Sequence, residues 1–121
     1  MVIGVGVDVV DVARIERLLD AFGRRLEEKL LTSAERALLD SKVRRAESLA
    51  ARVAAKEAVI KAIGADALIP FKDIEIAGTG PLEVRLSGRA RSAFDAVGAR
   101  GVLVSVSHEA NLAVAVAVLE G

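Results

Sequence analysis

The chain has 121 residues, 53% of them apolar and 28% charged, which suits one domain with its own core and argues against disorder. Three Phe with no Tyr or Trp leave that core to Val, Leu, Ile and Ala, and the lack of Cys excludes disulfides, zinc–thiolate sites and a cysteine nucleophile. The 17 basic and 17 acidic groups cancel, which disfavours generic nucleic-acid binding, and no apolar run reaches the ~18 residues of a membrane span.

Residues 2–10, VIGVGVDVV, read as a strand: no basic region precedes the apolar run, so it does not resemble a signal peptide, and a cytoplasmic protein is expected. Ile3, Val5, Val7 and Val9 point one way; Gly4, Gly6 and Asp8 point the other. Glycines inside a strand mark close approach by another backbone. Asp8 is expected near the strand's end, where a carboxylate in such apolar company needs a partner, a metal or exposure.

Asp11 suits the N-cap of a helix over about 12–22, with Val12, Ile15, Leu18, Leu19 and Phe22 on its apolar face. Arg14 and Arg17 lie on its other side, and Arg24 and Arg25 follow Gly23. These arginines form either a solvated face or a dock for an acidic partner. Thr32-Ser33-Ala34-Glu35 fits a capping box that starts a short helix to about Ser41. The polar run 41–48 is a connection or the first turn of the next helix; its Lys42, Arg44 and Arg45 are either solvated or a phosphate-binding cluster.

The stretch RVAAKEAVIKAIG, 52–64, organises the chain. Wound as a helix, it puts Leu49, Val53 and Ile60 on one stripe and Ala51, Ala54, Ala55, Ala58 and Ala62 nearly opposite. Two apolar faces predict packing on both sides, with Arg52 and Lys56 at one seam and Glu57 and Lys61 at the other. The alanine face is expected against Gly4 and Gly6, which brings Asp8 close to Glu57 and Lys61. Glu57 and Lys61, four apart, share a face: a solvated pair or a functional one.

FKDIEIAGTGPLEVRLSG, 71–88, reads as a hairpin turning at Gly78-Thr79-Gly80-Pro81. Ser87 is expected to cap a helix over about 88–97 that ends at Gly98. A second, valine-rich hairpin pairs 102–108 with 112–119 across Glu109-Ala110-Asn111. It puts the single histidine, His108, at a strand end, where a lone His is structural or touches a ligand.

No serine–histidine–acid set has a convincing spacing, and no phosphate-binding loop follows a strand. What remains is Asp8 and Glu57 on elements expected to be adjacent. Two carboxylates that leave water on a hard divalent ion suit a magnesium site for phosphate chemistry, with Lys61 to neutralise a leaving phosphate or move a proton.

GVGVDVVDVARIERL at 4–18, LAARVAAKEAVIKAIG at 49–64 and VSVSHEANLAVAVAVLE at 104–120 together resemble the holo-[acyl-carrier-protein] synthases, the small bacterial 4′-phosphopantetheinyl transferases. The similarity spans nearly the whole chain, and the Asp8 strand followed by AAKEA-x-x-KA is its specific signature. The resemblance implies an α+β fold, a single domain over 1–121 with antiparallel β-hairpins packed on a long central helix. It implies transfer of 4′-phosphopantetheine from coenzyme A to a serine of apo acyl carrier protein, releasing adenosine 3′,5′-bisphosphate. Asp8 and Glu57 would hold Mg²⁺; Glu57, through a metal-bound water, or Lys61 would serve as base. Arg52 and His108 match positions that contact the nucleotide, Lys42, Arg44 and Arg45 lie where basic residues neighbour its 3′-phosphate, and Gly80 and Pro81 match a Gly-x-Pro hairpin, with Thr79 before them. Arg14 matches a carrier-docking position, with Arg17, Arg24 and Arg25 as weaker candidates. The family's homotrimers, with coenzyme A sites between subunits, would account for the valine-rich strands. Val53 stands where relatives often have an aromatic, which should alter packing and not chemistry. Two other readings are a non-catalytic module that binds an acidic partner, and a magnesium enzyme acting on a different nucleotide diphosphate.

Overall fold

A computed structural model of the chain describes residues 1–64, 68–78 and 80–121. The N-terminal strand β1 (Val2–Asp11) leads into α1 (Val12–Phe22), α2 (Arg24–Leu30), α3 (Ser33–Asp40) and the long α4 (Arg45–Ile63). A 3-10 turn (Phe71–Asp73) then opens the hairpin β2 (Ile74–Ala77)–β3 (Glu83–Leu86), followed by α5 (Gly88–Ala96) and the hairpin β4 (Gly101–Glu109)–β5 (Leu112–Glu120). The result is the expected α+β arrangement: antiparallel strands laid on one central helix.

The main sheet has the order β1-β5-β4, all antiparallel, so the N-terminal strand joins the C-terminal hairpin. Val7 pairs with Val116 and Asp8 with Ala115. Alternation gives the sheet two unlike faces. Ala113, Ala115, Ala117 and Leu119 of β5 are fully buried on the face that receives α4, whereas Val5, Val7, Val9, Leu103 and Val116 are exposed on the other.

Gly4 and Gly6 explain how the helix comes so close. A Cβ on Gly4 would run into the Ala62 carbonyl, and one on Gly6 into the Ala58 carbonyl. The expected match of glycine strand to alanine helix is therefore literal: neither side has the atoms to hold the two backbones apart. The second apolar side of α4 is shifted from the expected stripe: Leu49 is buried, Val53 and Ile60 are only half-buried, and Val59 and Ile63 enter the core instead. One buried cluster joins Val59 and Ile63 to Ile74, Ile76, Phe94 and Leu119, and another joins Leu49, Ala50 and Ala51 to Ile15, Leu31 and Leu39.

Several local expectations change. Gly23 takes φ 55, ends α1 and permits the chain to turn into α2, a helix that its sequence did not announce. The run 41–48 divides at Arg45, where α4 begins. Ser87 makes no side-chain cap of α5; Asp73 reaches across instead, its Oδ2 accepting from the Arg89 and Ala90 amides at 2.8 and 3.4 Å. The capping box holds as read, with Glu35 N–H on Thr32 Oγ1 at 3.3 Å and Thr32 N–H on Glu35 Oε1 at 3.0 Å. Thr79, expected in the β2–β3 turn, lies outside the described residues.

Candidate active site

The strand period turns Asp8 toward α4, and the two glycines bring the helix within reach. Asp8 is not a strand-end residue as expected: β1 continues to Asp11, whose Oδ1 caps α1 by accepting from Ala13 N–H at 3.0 Å. Asp8 Oδ1 accepts from Lys61 Nζ at 2.9 Å, and the Val7 carbonyl accepts from the same ammonium at 3.2 Å. The hydrogen bond to Asp8 raises the Lys61 pKa, its charge adds to this, and the Glu57 carboxylate contributes further. Lys61 therefore rests as an ammonium, not as a free base.

Glu57 sits one turn before Lys61, half-buried and without an ion-pair partner among the described residues. It lines a cleft of about 520 Å³ together with Asp8, Arg14, Ile15, Val53 and Phe71. The two carboxylates singled out by sequence thus face one space. No group of three or more His, Cys, Asp or Glu side chains gathers for a metal among the described residues. A two-carboxylate donor set still fits a hard cation such as Mg²⁺, which characteristically keeps several waters and takes one or two protein carboxylates.

The arginines divide. Arg14 is exposed on α1 at the rim of this cleft. Arg17 and Arg24 are exposed but do not line it; Arg24 borders a separate hollow with Ser33, Arg36 and Asp40. Lys42 is exposed, and Arg44, whose side chain is 82% exposed, sits 3.3 Å from Glu47. Arg45 already has carboxylate partners within the chain. Its Nε and Nη2 fork onto Glu27 at 2.6 Å each, and Nη2 also meets Asp40 at 2.9 Å. Those hydrogen bonds hold its pKa above the usual arginine value. Its guanidinium is committed to neutralising buried Glu27.

His108 Nδ1 stands 3.3 Å from Glu47 Oε1, so Glu47 joins the strand-end histidine to Arg44. Arg52 is largely buried; its Nε lies 3.9 Å from Glu35 Oε2 and has no hydrogen-bond partner. Gly80 and Pro81 sit exposed in the β2–β3 turn, away from the lining of the Asp8–Glu57 cleft.

Sequence reasoning missed one feature next to the site. Lys56, expected at a polar seam, is wholly buried and pairs with buried Glu35 at 2.6 Å. Burial pushes the Lys56 pKa down while the Glu35 charge opposes it. The available signal was Val53, Val59 and Ile60, three and four residues from Lys56 on its own side of the helix, which give the lysine a mostly apolar surround.

Known proteins resemble this chain along nearly its whole length. A family model for the 4′-phosphopantetheinyl transferase superfamily matches residues 4–117. A holo-[acyl-carrier-protein] synthase of Anaeromyxobacter dehalogenans is 39% identical over 125 residues, covering 100% of this chain and 98% of that protein. One from Maridesulfovibrio salexigens is 40% identical over 99% of each. Among solved structures, the Neisseria meningitidis holo-[acyl-carrier-protein] synthase superposes with a TM-score of 0.89 at 32% identity over 100% of both chains. The Helicobacter pylori enzyme, in complex with coenzyme A, gives 0.82 at 30% identity over 96% of this chain and 99% of that one. This chain belongs to the 4′-phosphopantetheinyl transferase superfamily, within its holo-[acyl-carrier-protein] synthase family.

Proposed function

We propose that this chain transfers the 4′-phosphopantetheine group of coenzyme A to a serine hydroxyl of an apo acyl carrier protein, in fatty-acid or polyketide biosynthesis. The observation that carries this reading is the meeting of Asp8 and Glu57 in one cleft, with Lys61 bonded to Asp8 and Arg14 at the rim. In the transfer, a bond forms from the serine oxygen to the phosphorus that bears pantetheine. The bond from that phosphorus to the bridging oxygen breaks, and adenosine 3′,5′-bisphosphate leaves.

Asp8 and Glu57 would hold Mg²⁺ with the pyrophosphate; the ion supplies charge neutralisation that makes the bisphosphate a better leaving group. The chain's own groups do the rest. Lys61, with its side chain 53% exposed, is free to leave Asp8 and follow the negative charge that develops on the leaving phosphate. As an ammonium it donates and does not abstract, which leaves a Glu57 carboxylate oxygen as the acceptor for the serine proton. Arg14 docks the acidic carrier protein beside the cleft, with Arg17 and Arg24 extending that surface. Arg52, Lys42 and His108 meet the nucleotide, along with the Gly80-Pro81 turn, across a subunit boundary. The exposed valine face of the sheet packs around the axis of a homotrimer, and a cytoplasmic location follows from the substrates. No helix among the described residues is long and apolar enough to cross a membrane.

The test is intact mass spectrometry of an apo acyl carrier protein incubated with coenzyme A, Mg²⁺ and this protein. A gain of one phosphopantetheinyl group, lost with EDTA and with Asp8→Ala, is expected. A folded protein that modifies none of several carrier proteins would instead favour a binding module built on an ancestral fold.

A further inference from the structure

Lys56 is the only wholly buried basic residue among the described residues, and the transfer chemistry proposed above makes no use of it. Its Nζ donates to Glu35 Oε1 at 2.6 Å, to the Leu30 carbonyl at 2.8 Å and to the Phe71 carbonyl at 3.1 Å. These partners occupy all three donors of an ammonium. Leu30 closes α2, where the last carbonyls lack intrahelical partners and the helix end carries negative potential. Phe71 opens the turn ahead of β2. Both residues line the cleft that contains Asp8 and Glu57.

Glu35 is itself held in place: its Oε1 accepts from Thr32 N–H at 3.0 Å and its Oε2 from Ile76 N–H at 3.1 Å. A buried ion pair is a poor device for stability alone, because apolar residues of similar volume often serve as well. An apolar residue cannot, however, hold two carbonyls from separate segments against α4. We propose that Lys56 is a positioning residue for the transfer, fixing the Leu30 and Phe71 walls of the cleft that Glu57, its neighbour on the same turn of α4, also lines. This rests on the functional reading above.

The test compares wild type with Glu35→Gln/Lys56→Met, which removes the charges together and the donors to both carbonyls, and with Glu35→Gln/Lys56→Gln, which keeps amide donors. Transfer to apo acyl carrier protein is measured at saturating Mg²⁺, well below each variant's melting temperature. The Met variant should lose about 100-fold in kcat, the scale of an ångström's misplacement, while its KM for coenzyme A stays within about threefold because Asp8, Glu57, Lys61 and the nucleotide-facing side chains are themselves unchanged. The Gln variant should recover at least about tenfold of that loss, since hydrogen bonds and not charge hold the walls. A folded Met variant with near wild-type kcat, or equal losses in both variants, would overturn the proposal. If the Met variant does not fold, the Gln variant decides alone: kcat reduced by less than about tenfold at unchanged KM supports the proposal, and a rise in KM at unchanged kcat sinks it. Inactivity of the wild type would sink the functional reading instead, and is recognised by that control.

Discussion

Gly6→Ala tests whether the site depends on the contact between β1 and α4. The added Cβ would collide with the Ala58 carbonyl oxygen and stand 2.7 Å from Ala62 N and 2.9 Å from the Ala58 carbonyl carbon. Ordinary contacts are near 3.5 Å, so even the milder of these demands a shift of about 0.6–0.8 Å. The obstruction is backbone, which cannot rotate away as a side chain does, so helix and strand must separate. Overpacking of this kind costs about 1–3 kcal/mol, which lowers the melting temperature by roughly 4–12 °C for a chain of this size. Since Asp8 and Glu57 sit on the two elements pushed apart, turnover should fall further than stability does, on the order of 100-fold for a displacement near 1 Å. Gly101→Ala is the control: its Cβ would meet only Glu120 Oε2, at 3.7 Å. Melts followed by circular dichroism at matched protein concentration, with carrier-protein transfer measured on the same samples, decide the matter. If Gly6→Ala melts and turns over like Gly101→Ala, the close approach does not require glycine and the packing account of the site is wrong.

Lys61→Met should reveal the Asp8 pair through pH. The native pKa is raised above the ordinary 10.5, so the pair's stabilisation is fully present below that value and is lost as pH rises through the native pKa. The stability gap between wild type and variant, from urea melts, should be level from about pH 7 to 9 and shrink beyond about 10.5; a gap that persists at high pH would contradict this. Arg45→Ala leaves Glu27 buried without its fork and should cost about 1–3 kcal/mol, discounted from a fully buried pair because the arginine is partly solvated. A loss of coenzyme A affinity without a loss of stability in that variant would show that Arg45 serves the ligand after all. Val7→Lys puts a charge in the middle of the exposed valine face, beside Val116; sedimentation should show the proposed homotrimer of the wild type and its dissociation in the variant, and a wild-type monomer or an unchanged oligomer would refute this interface.

The meeting of Asp8 with Glu57 was legible because both halves of the contact are written locally. A period of two aligns Gly4, Gly6 and Asp8 on one side of a strand, and the helical period gathers Ala54, Ala58 and Ala62, so the absence of side-chain bulk on both surfaces names the pair. The box from Thr32 to Glu35 was legible for the same reason, since both of its hydrogen bonds span three residues. What escaped depends on partners distant in sequence. Seven residues of α2 are too few to be helical alone, and the helix exists because Leu31 is buried beyond it and Lys56 satisfies its last carbonyl. Arg45 finds Glu27 across 18 residues, and Asp73 caps α5 across 16. Charge-to-charge pairing of this range has no period, so a run such as Lys42-Val43-Arg44-Arg45 looks uniform in sequence although its arginines have separate partners: Glu47 for one, Glu27 and Asp40 for the other.

The two lysines of α4 show how one helix carries both a rigid and a mobile cation, each bonded to residues that line the Asp8–Glu57 cleft. Lys56 and Lys61 are five residues apart, so they emerge on different sides of the helix. Burial lowers the pKa of the first, and the Asp8 hydrogen bond raises that of the second. Lys56 has all of its donors tied to protein and nothing left for a ligand. Lys61 is held at the surface by one carboxylate and one carbonyl, a weak arrangement in water. A phosphate entering beside Asp8 would compete readily for the second lysine and not at all for the first. Glu57 lies between them in sequence and faces the cleft that Lys56 braces. The motif AAKEA-x-x-KA therefore reads in physical terms as a brace and a carboxylate on one turn and a movable ammonium on the next, with Ala58 and Ala62 setting how closely the Asp8 strand approaches the helix.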